Sequence, residues 1–257
     1  MTAARKEGSL YTQRSGPLAR VEFGHPASNS FTSNLLSRLE REIDALGGDG
    51  DISVILLQSE GDRAFCAGAS FDELLEIDNP ETGAEFFSGF ARVINAMRRC
   101  PKPIVARVHG KAVGGGVGLI AACDYALALE GASVRLSEIS IGIAPLVIAP
   151  AVARKTGAAG LAELSLSPTE WKSAYWAQEK GLYARVFDSR QALDEEAEFF
   201  ASQLASYPSA ALTALKKALW EGTDHWGDLL PERAAETGRL ALSETTQETL
   251  RKFKEKK

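Results

Sequence analysis

The sequence predicts an α/β body followed by a mostly helical C-terminal part. Two patterns carry this expectation. Between Leu18 and Gly131 short apolar runs alternate with segments of helical periodicity, which implies parallel strand pairing and right-handed crossovers. Beyond about Gly160 the pattern changes, and successive segments read as helices.

The elements come in this order. "LARVEFGHP" alternates and stops at Gly24-His25-Pro26, so it reads as a strand. In "TSNLLSRLEREIDALGGDGD" Leu35, Leu36, Leu39, Ile43 and Leu46 share one helix face. Thr32 or Ser33 can cap that helix, and Gly47-Gly48 end it. "ISVILLQS" is a continuous apolar run, as expected of a strand buried on both faces. "DRAFCAGAS" reads as a loop, and "LLEIDNPETGAEFFSGFARVINAMRRC" as a loop and then a long helix broken by Pro101 and Pro103. "IVARVHG" is a buried strand, "GGVGLIAACD" a helix and "YALALEG" a further strand. The stretches "AAGLAELSLSPTEWKSAYWAQEKGLYARVF", "ALDEEAEFFASQLAS", "SAALTALKKALWEG" and everything from Pro231 on read as helical. Residues 1–8 are expected to fray.

Composition narrows the function. The 257 residues suit one large domain or one domain with a small appendage, and 45 % hydrophobic with 25 % charged residues is a globular balance. A net charge of −5 without a basic block argues against nucleic acid as the partner. The one local exception is "RKFKEKK" (251–257), which reads as a solvated helix end. No apolar run is long enough to span a bilayer, and "MTAARKEGSLYTQ" lacks the apolar stretch of a secretory signal. Cys66, Cys100 and Cys123 form no CxxC pair, so reduced thiols in a cytoplasmic protein are expected. His25, His109 and His225 lack metal-ligand spacing, so no metal is expected.

Gly114-Gly115-Gly116 lies between a strand and a helix. Glycine lets the backbone approach a ligand, and the first N–H groups of the helix have no internal partner. Close helix–strand packing is the alternative reason for such a run. It fits neither the Walker A pattern nor the dinucleotide fingerprint. A second loop of small residues, "AFCAGAS" (64–70), also follows a buried strand. Two such loops at the ends of parallel strands can aim two N–H donors at one oxygen, the requirement for stabilising an enolate or a thioester oxyanion.

The segments "DRAFCAGAS", "KPIVARVHGKAVGGGVGLIAACDYALA" and "LSEISIGIAP", in this order and spacing, resemble the crotonase (enoyl-CoA hydratase/isomerase) superfamily. The likeness runs from about residue 10 to 255 and includes an "A…GL…V" strand within 158–187. "GGGVGL" and "APLVIAP" are similar to bacterial methylglutaconyl-CoA and carboxygeranoyl-CoA hydratases. The resemblance implies a spiral of ββα turns over residues 1–195 and a helical region, 196–257, used in forming trimers or hexamers. It implies an oxyanion hole made by the N–H groups of Ala69 and Gly115. The substrate would be an acyl-CoA thioester, bound by Arg63, Ala64, Cys66, Ala67, Gly68, Ala27, Ser28, Gly114 and Gly118. No cofactor is implied, because CoA belongs to the substrate. "RKFKEKK" could then reach CoA phosphates.

Family hydratases with two acids carry one Glu two residues after the glycine triplet and a second twenty positions later. Here the second place is Glu138 and the first is Gly118. A single Glu can serve as acid and base in turn, either in hydrating an enoyl-CoA or in shuttling a proton between two carbons. Three functions therefore stand: an enoyl-CoA hydratase, an enoyl-CoA isomerase, or a CoA-thioester-binding protein without chemistry. Glu138 could otherwise be a solvated surface acid. His109 and Asp124 read as structural, Cys66 as a packing residue without an adjacent base, and Trp171, Tyr175 and Trp176 as one aromatic packing group on a helix.

Overall fold

The computed structural model describes residues 7–255, with side chains up to Lys252; the expected fraying of residues 1–6 and the end of "RKFKEKK" lie outside the described residues. A hairpin opens the chain: β1 (Ser9–Ser15) pairs antiparallel with β2 (Leu18–Gly24). Three turns of a spiral come next, and each contributes one strand to a large sheet and one to a small sheet. The first turn supplies β3 (Val54–Ser59) and β4 (Ala64–Cys66), the second β5 (Ile104–Val108) and β6 (Lys111–Val113), the third β7 (Tyr125–Leu129) and β8 (Val134–Arg135). The large sheet, ordered β1-β2-β3-β5-β7-β9, is completed by β9 (Arg185–Phe187); the small sheet is β4-β6-β8, and from β2 onward all pairing is parallel.

Helices fill the crossovers: α1 (Ser33–Gly48), α2 (Phe71–Leu74), α3 (Pro80–Arg99) and α4 (Gly115–Ala122). A 3-10 turn, Glu138–Ile141, leads to α5 (Ala149–Leu166), which breaks at Gly157, where φ is 70°. After α6 (Ala174–Glu179) come α7 (Arg190–Ala205), α8 (Ser209–Leu219), α9 (Trp226–Ala241) and α10 (Glu244–Glu255). Among the described residues no helix is long and apolar enough to cross a membrane.

The periodicity of α1 has its expected consequence: Leu35, Leu36, Leu39, Ile43 and Leu46 are all buried, and Thr32 Oγ1 accepts from the Leu35 N–H at 3.1 Å. Removing that cap is worth about 1 kcal/mol. Thr32→Ala is therefore expected to lower the unfolding midpoint by about 2–4 °C in a thermal melt. Expectation and structure part where strands are very short. "DRAFCAGAS" is not only a loop, because Ala64–Cys66 forms β4, and the region read as helical contains β9. Two or three paired residues are too few to show a period. Trp171 also lies ahead of α6 rather than on one helix with Tyr175 and Trp176.

The large sheet is covered on both faces. Ile55, Leu57, Ala106 and Val108 join the main core with α1 and α3. Val54, Leu56, Val105 and Leu127 pack against Leu193, Ala197, Ala201 and Ala205 of α7. α7 itself runs unbroken through residues 195 and 196, and its buried face packs on the large sheet. A buried polar knot fastens the C-terminal helices: Asp124 accepts from Lys216 Nζ at 2.6 Å, Trp220 Nε1 at 2.7 Å and the Ile104 N–H at 2.8 Å. The expected structural role of Asp124 thus has named partners.

Candidate active site

The glycine triplet meets the small sheet where the spiral turns inward. Gly114 adopts φ 53° and ψ −120°, a region that side chains disfavour, and its N–H donates to the Arg135 carbonyl at 2.9 Å. This kink starts α4 directly after β6. Each glycine of the run also admits a neighbour. A Cβ on Gly114 would stand 2.7 Å from Glu138 Oε1; on Gly115, 3.0 Å from Phe90 Cδ1; on Gly116, 2.7 Å from the Cys66 Cβ. Close packing, the alternative reason offered for the triplet, is therefore present at all three positions, and only Gly115 is half-buried rather than buried.

The second loop lies against the first. A Cβ on Gly68, whose φ is 88°, would stand 3.0 Å from the Val113 carbonyl and 3.6 Å from the Gly115 nitrogen. Ala69 forms an isolated parallel bridge with Phe31. That bridge uses its neighbours: Phe31 N–H donates to the Gly68 carbonyl at 2.8 Å, and Ser70 N–H donates to the Phe31 carbonyl at 2.7 Å. The Ala69 N–H is left on the opposite edge. Among the described residues, neither it nor the Gly115 N–H has an acceptor within the chain. Two free donors thus belong to touching loops, one of them at the positive end of α4.

Glu138 completes the group. Its Oε1 lies over Gly114, next to Gly115, while its buried Oε2 has no hydrogen-bond partner among the described residues. Burial raises its pKa from the ordinary carboxylate range to about 7, against the opposing pull of its own and the Ser137 N–H groups and the Arg135 cation. The Arg135 guanidinium itself rests on the Trp171 ring at 4.5 Å. A carboxylic acid poised near neutrality can take and return a proton without a second acid.

The place of the missing acid is filled. Gly118 is buried on α4, and a Cβ there would stand 2.7 Å from Ile148 Cβ, with Cγ2 nearer still. Ile148, at the end of "APLVIAP", presses an apolar side chain onto this helix face, so Gly118 presents no surface of its own to a ligand.

The other expected CoA contacts lie on two adjacent segments, joined by the Ala67 N–H donating to the Ser28 carbonyl at 3.1 Å. The Arg63 side chain is exposed, as are Ala27 and Ser28, whereas Ala64 and Ala67 are half-buried and Cys66 and Gly68 buried. Gly110, just before β6, lets the chain pass close to the Arg63 segment, since a Cβ on it would stand 2.8 Å from the Arg63 carbonyl carbon. Burial pushes the Cys66 thiol up to about 12, so it stays protonated at neutral pH. His109 is buried with its Nδ1 3.4 Å from Arg107; burial first, then Arg190 and Arg107, lower its pKa to about 4. Among the described residues no cluster of His, Cys, Asp or Glu could hold a metal ion.

Three neighbours escaped sequence reading. Phe90 sits in an ordinary apolar helix face, and Ile148 is one aliphatic residue among several. Asn29, between two loops, left a weak signal in "HPASN", a run of turn-forming residues.

Comparisons with known proteins bear on the family and the fold. A family model described as enoyl-CoA hydratase/isomerase matches residues 13–257. The mitochondrial methylglutaconyl-CoA hydratase of Rattus norvegicus is 38 % identical over 117 residues, which cover 46 % of this chain and 37 % of that protein. The match thus spans little more than a third of that relative's length. The 2,3-dehydroadipyl-CoA hydratase of Escherichia coli (strain K12) is 32 % identical over 211 residues, 82 % of this chain and 81 % of that one. The crystal structure of enoyl-CoA hydratase from Bacillus halodurans superposes with a TM-score of 0.87 at 22 % identity, covering 95 % of this chain and 99 % of that chain, and so speaks for the fold. With nearly its whole length matched by the family model, the chain belongs to the enoyl-CoA hydratase/isomerase family.

Proposed function

We propose that this protein reversibly adds water to an enoyl-CoA thioester, with Glu138 as its one acid–base and the Ala69 and Gly115 N–H groups as oxyanion donors. The observation that carries the reading is the Glu138 carboxylate over Gly114, one buried oxygen without a partner among the described residues and the group poised near neutral pH. In the hydration direction Glu138 takes a proton from water as its oxygen bonds to the β-carbon. The electron pair of the double bond moves toward the thioester oxygen, where two N–H donors stabilise the enolate. Glu138, now protonated, returns the proton to the α-carbon. The full cycle leaves the carboxyl as it began, so no further acid and no cofactor enters. A branched or carboxylated acyl group is the preferred substrate in this reading. The names of the methylglutaconyl-CoA and 2,3-dehydroadipyl-CoA relatives support it. Assembly into a trimer or hexamer belongs to the same proposal and is measured by light scattering.

A second reading, double-bond isomerisation, draws on Ile148. An apolar wall where a second acid would stand suits a proton moved between two carbons as well as water addition. One assay separates the readings. Conjugated and 3-enoyl-CoA esters, including methylglutaconyl-CoA, are incubated with the protein and absorbance of the conjugated thioester is followed. Loss of absorbance from a conjugated ester is the expected result and marks hydration. Appearance of absorbance from a 3-enoyl ester marks isomerisation instead. Binding without turnover across the panel would reject both in favour of a non-catalytic CoA-ester-binding protein.

A further inference from the structure

We propose that Asn29 is a positioning residue for the oxyanion donor of Ala69, acting through a strained turn that templates the loop 64–70. The inference rests on the reading that Ala69 N–H meets the thioester oxygen. Ser28 and Asn29 are the only non-glycine residues with positive φ among the described residues, at 55° and 57°. L-residues resist this conformation, and asparagine tolerates it better than most. Two such residues in succession persist only where their surroundings hold them.

Backbone bonds close the turn itself, Asn29 N–H to the His25 carbonyl at 2.9 Å and Ser30 N–H to the Ala27 carbonyl at 3.1 Å, and the side chain of the buried Asn29 ties it to the neighbouring strands. Its Nδ2 donates to the Glu60 carbonyl at 2.8 Å and to the Ala64 carbonyl at 2.9 Å; its Oδ1 accepts from the His25 N–H at 3.0 Å. The amide thereby ties the end of β2, the end of β3 and the start of β4 at one point. No backbone group could reach all three. The turn's own backbone then passes the constraint forward. The Ala67 N–H donates to the Ser28 carbonyl at 3.1 Å, and beyond Asn29 the Phe31 backbone takes up the Gly68 carbonyl and the Ser70 N–H. Ala69 sits between these last two bonds, so its orientation is set by the residues that leave the turn. Without the Asn29 amide, the Glu60 and Ala64 carbonyls lose a shared donor, and the Ser28–Phe31 template loses its anchor. A small rotation of the Ala69 peptide would follow, enough to spoil a hydrogen bond that must be aligned to act.

A merely structural Asn29 would affect unfolding alone; a positioning residue must also alter how the bound thioester carbonyl is polarised. The probe is hexadienoyl-CoA, whose absorbance moves to longer wavelength when its carbonyl accepts strong hydrogen bonds. Two variants are compared with the full chain. Asn29→Gly keeps the left-handed turn and removes the amide; Asn29→Asp keeps the shape but removes both donors and serves if the first does not fold. The expected result is a red shift in the wild type that is lost in the variant. Turnover should fall about 10–10²-fold while KM changes by less than about threefold. A red shift retained in a folded variant, or a loss confined to the melting temperature or to CoA binding, would overturn the positioning role. No red shift in the wild type, although the probe binds, would instead remove the oxyanion reading on which this role rests.

Discussion

Glu138→Gln is expected to lower turnover by at least ~10²-fold while CoA-ester binding persists, because the amide keeps the shape but cannot carry the proton. The pH profile gives the stricter check. In the hydration direction of the proposed reaction the free enzyme must present the carboxylate. With the pKa of Glu138 raised to about 7, kcat/KM should climb as pH rises through about 7 and level off above it. The same shift carries a sign for stability. The folded pKa lies above the ordinary value of 4.5, so the fold prefers the protonated acid. Its contribution is fully present below the unfolded pKa. It is lost as pH rises toward about 7, where the buried group becomes charged. Gln is neutral throughout. The melting-temperature gap, variant minus wild type, should therefore widen between about pH 4.5 and pH 7 and then stay constant, by an amount on the order of 1–3 kcal/mol or about 2–10 °C. Unchanged turnover removes Glu138 from the chemistry. A flat gap with turnover lost would keep its catalytic role but deny that burial sets its pKa.

Glu138, Ala69 and Gly115 could be singled out from sequence through the resemblance to the family, whose motifs stand here at matching positions: the second acid falls twenty residues after Gly118, and a backbone donor is located by its place in a loop motif rather than by its side chain. Length and period also revealed α1 and α3, whose apolar faces repeat over several turns. The small sheet was hidden for the opposite reason: β4, β6 and β8 hold three residues or fewer each, and long-range pairing alone makes them strands. Asn29 was hidden because its role depends on three backbone partners, at Glu60, Ala64 and His25, two of them distant in sequence. Side-chain hydrogen bonds of this kind leave no period and no spacing rule.

Gly118 shows how an absence in sequence becomes a presence in structure. From sequence, the missing acid invites a simple restoration, Gly118→Glu. The structure predicts that this single change fails. The new Cβ would stand 2.7 Å from Ile148 Cβ, inside any real carbon–carbon contact, on a helix face with no solvent to retreat into. Overpacking costs about 1–3 kcal/mol, and burying a carboxylate against isoleucine adds to it. A fall in the melting temperature of at least about 5 °C, with no gain in hydration, is the expected outcome. Relief requires Ile148→Gly in the same chain; alanine would leave the Cβ that makes the contact. Ile148 caps α5 with φ −88° and ψ −16°, a conformation open to glycine, so the second change need not break the helix. The paired variant should regain part of the lost melting temperature and exceed the single variant in turnover on a conjugated enoyl-CoA. Should Gly118→Glu alone fold as stably as the wild type and hydrate faster, Ile148 would not be what closes this place. If the pair recovers stability but not turnover, the acid has room yet no water to act on, and the one-carboxylate route through Glu138 is then a property of the whole wall rather than of Gly118.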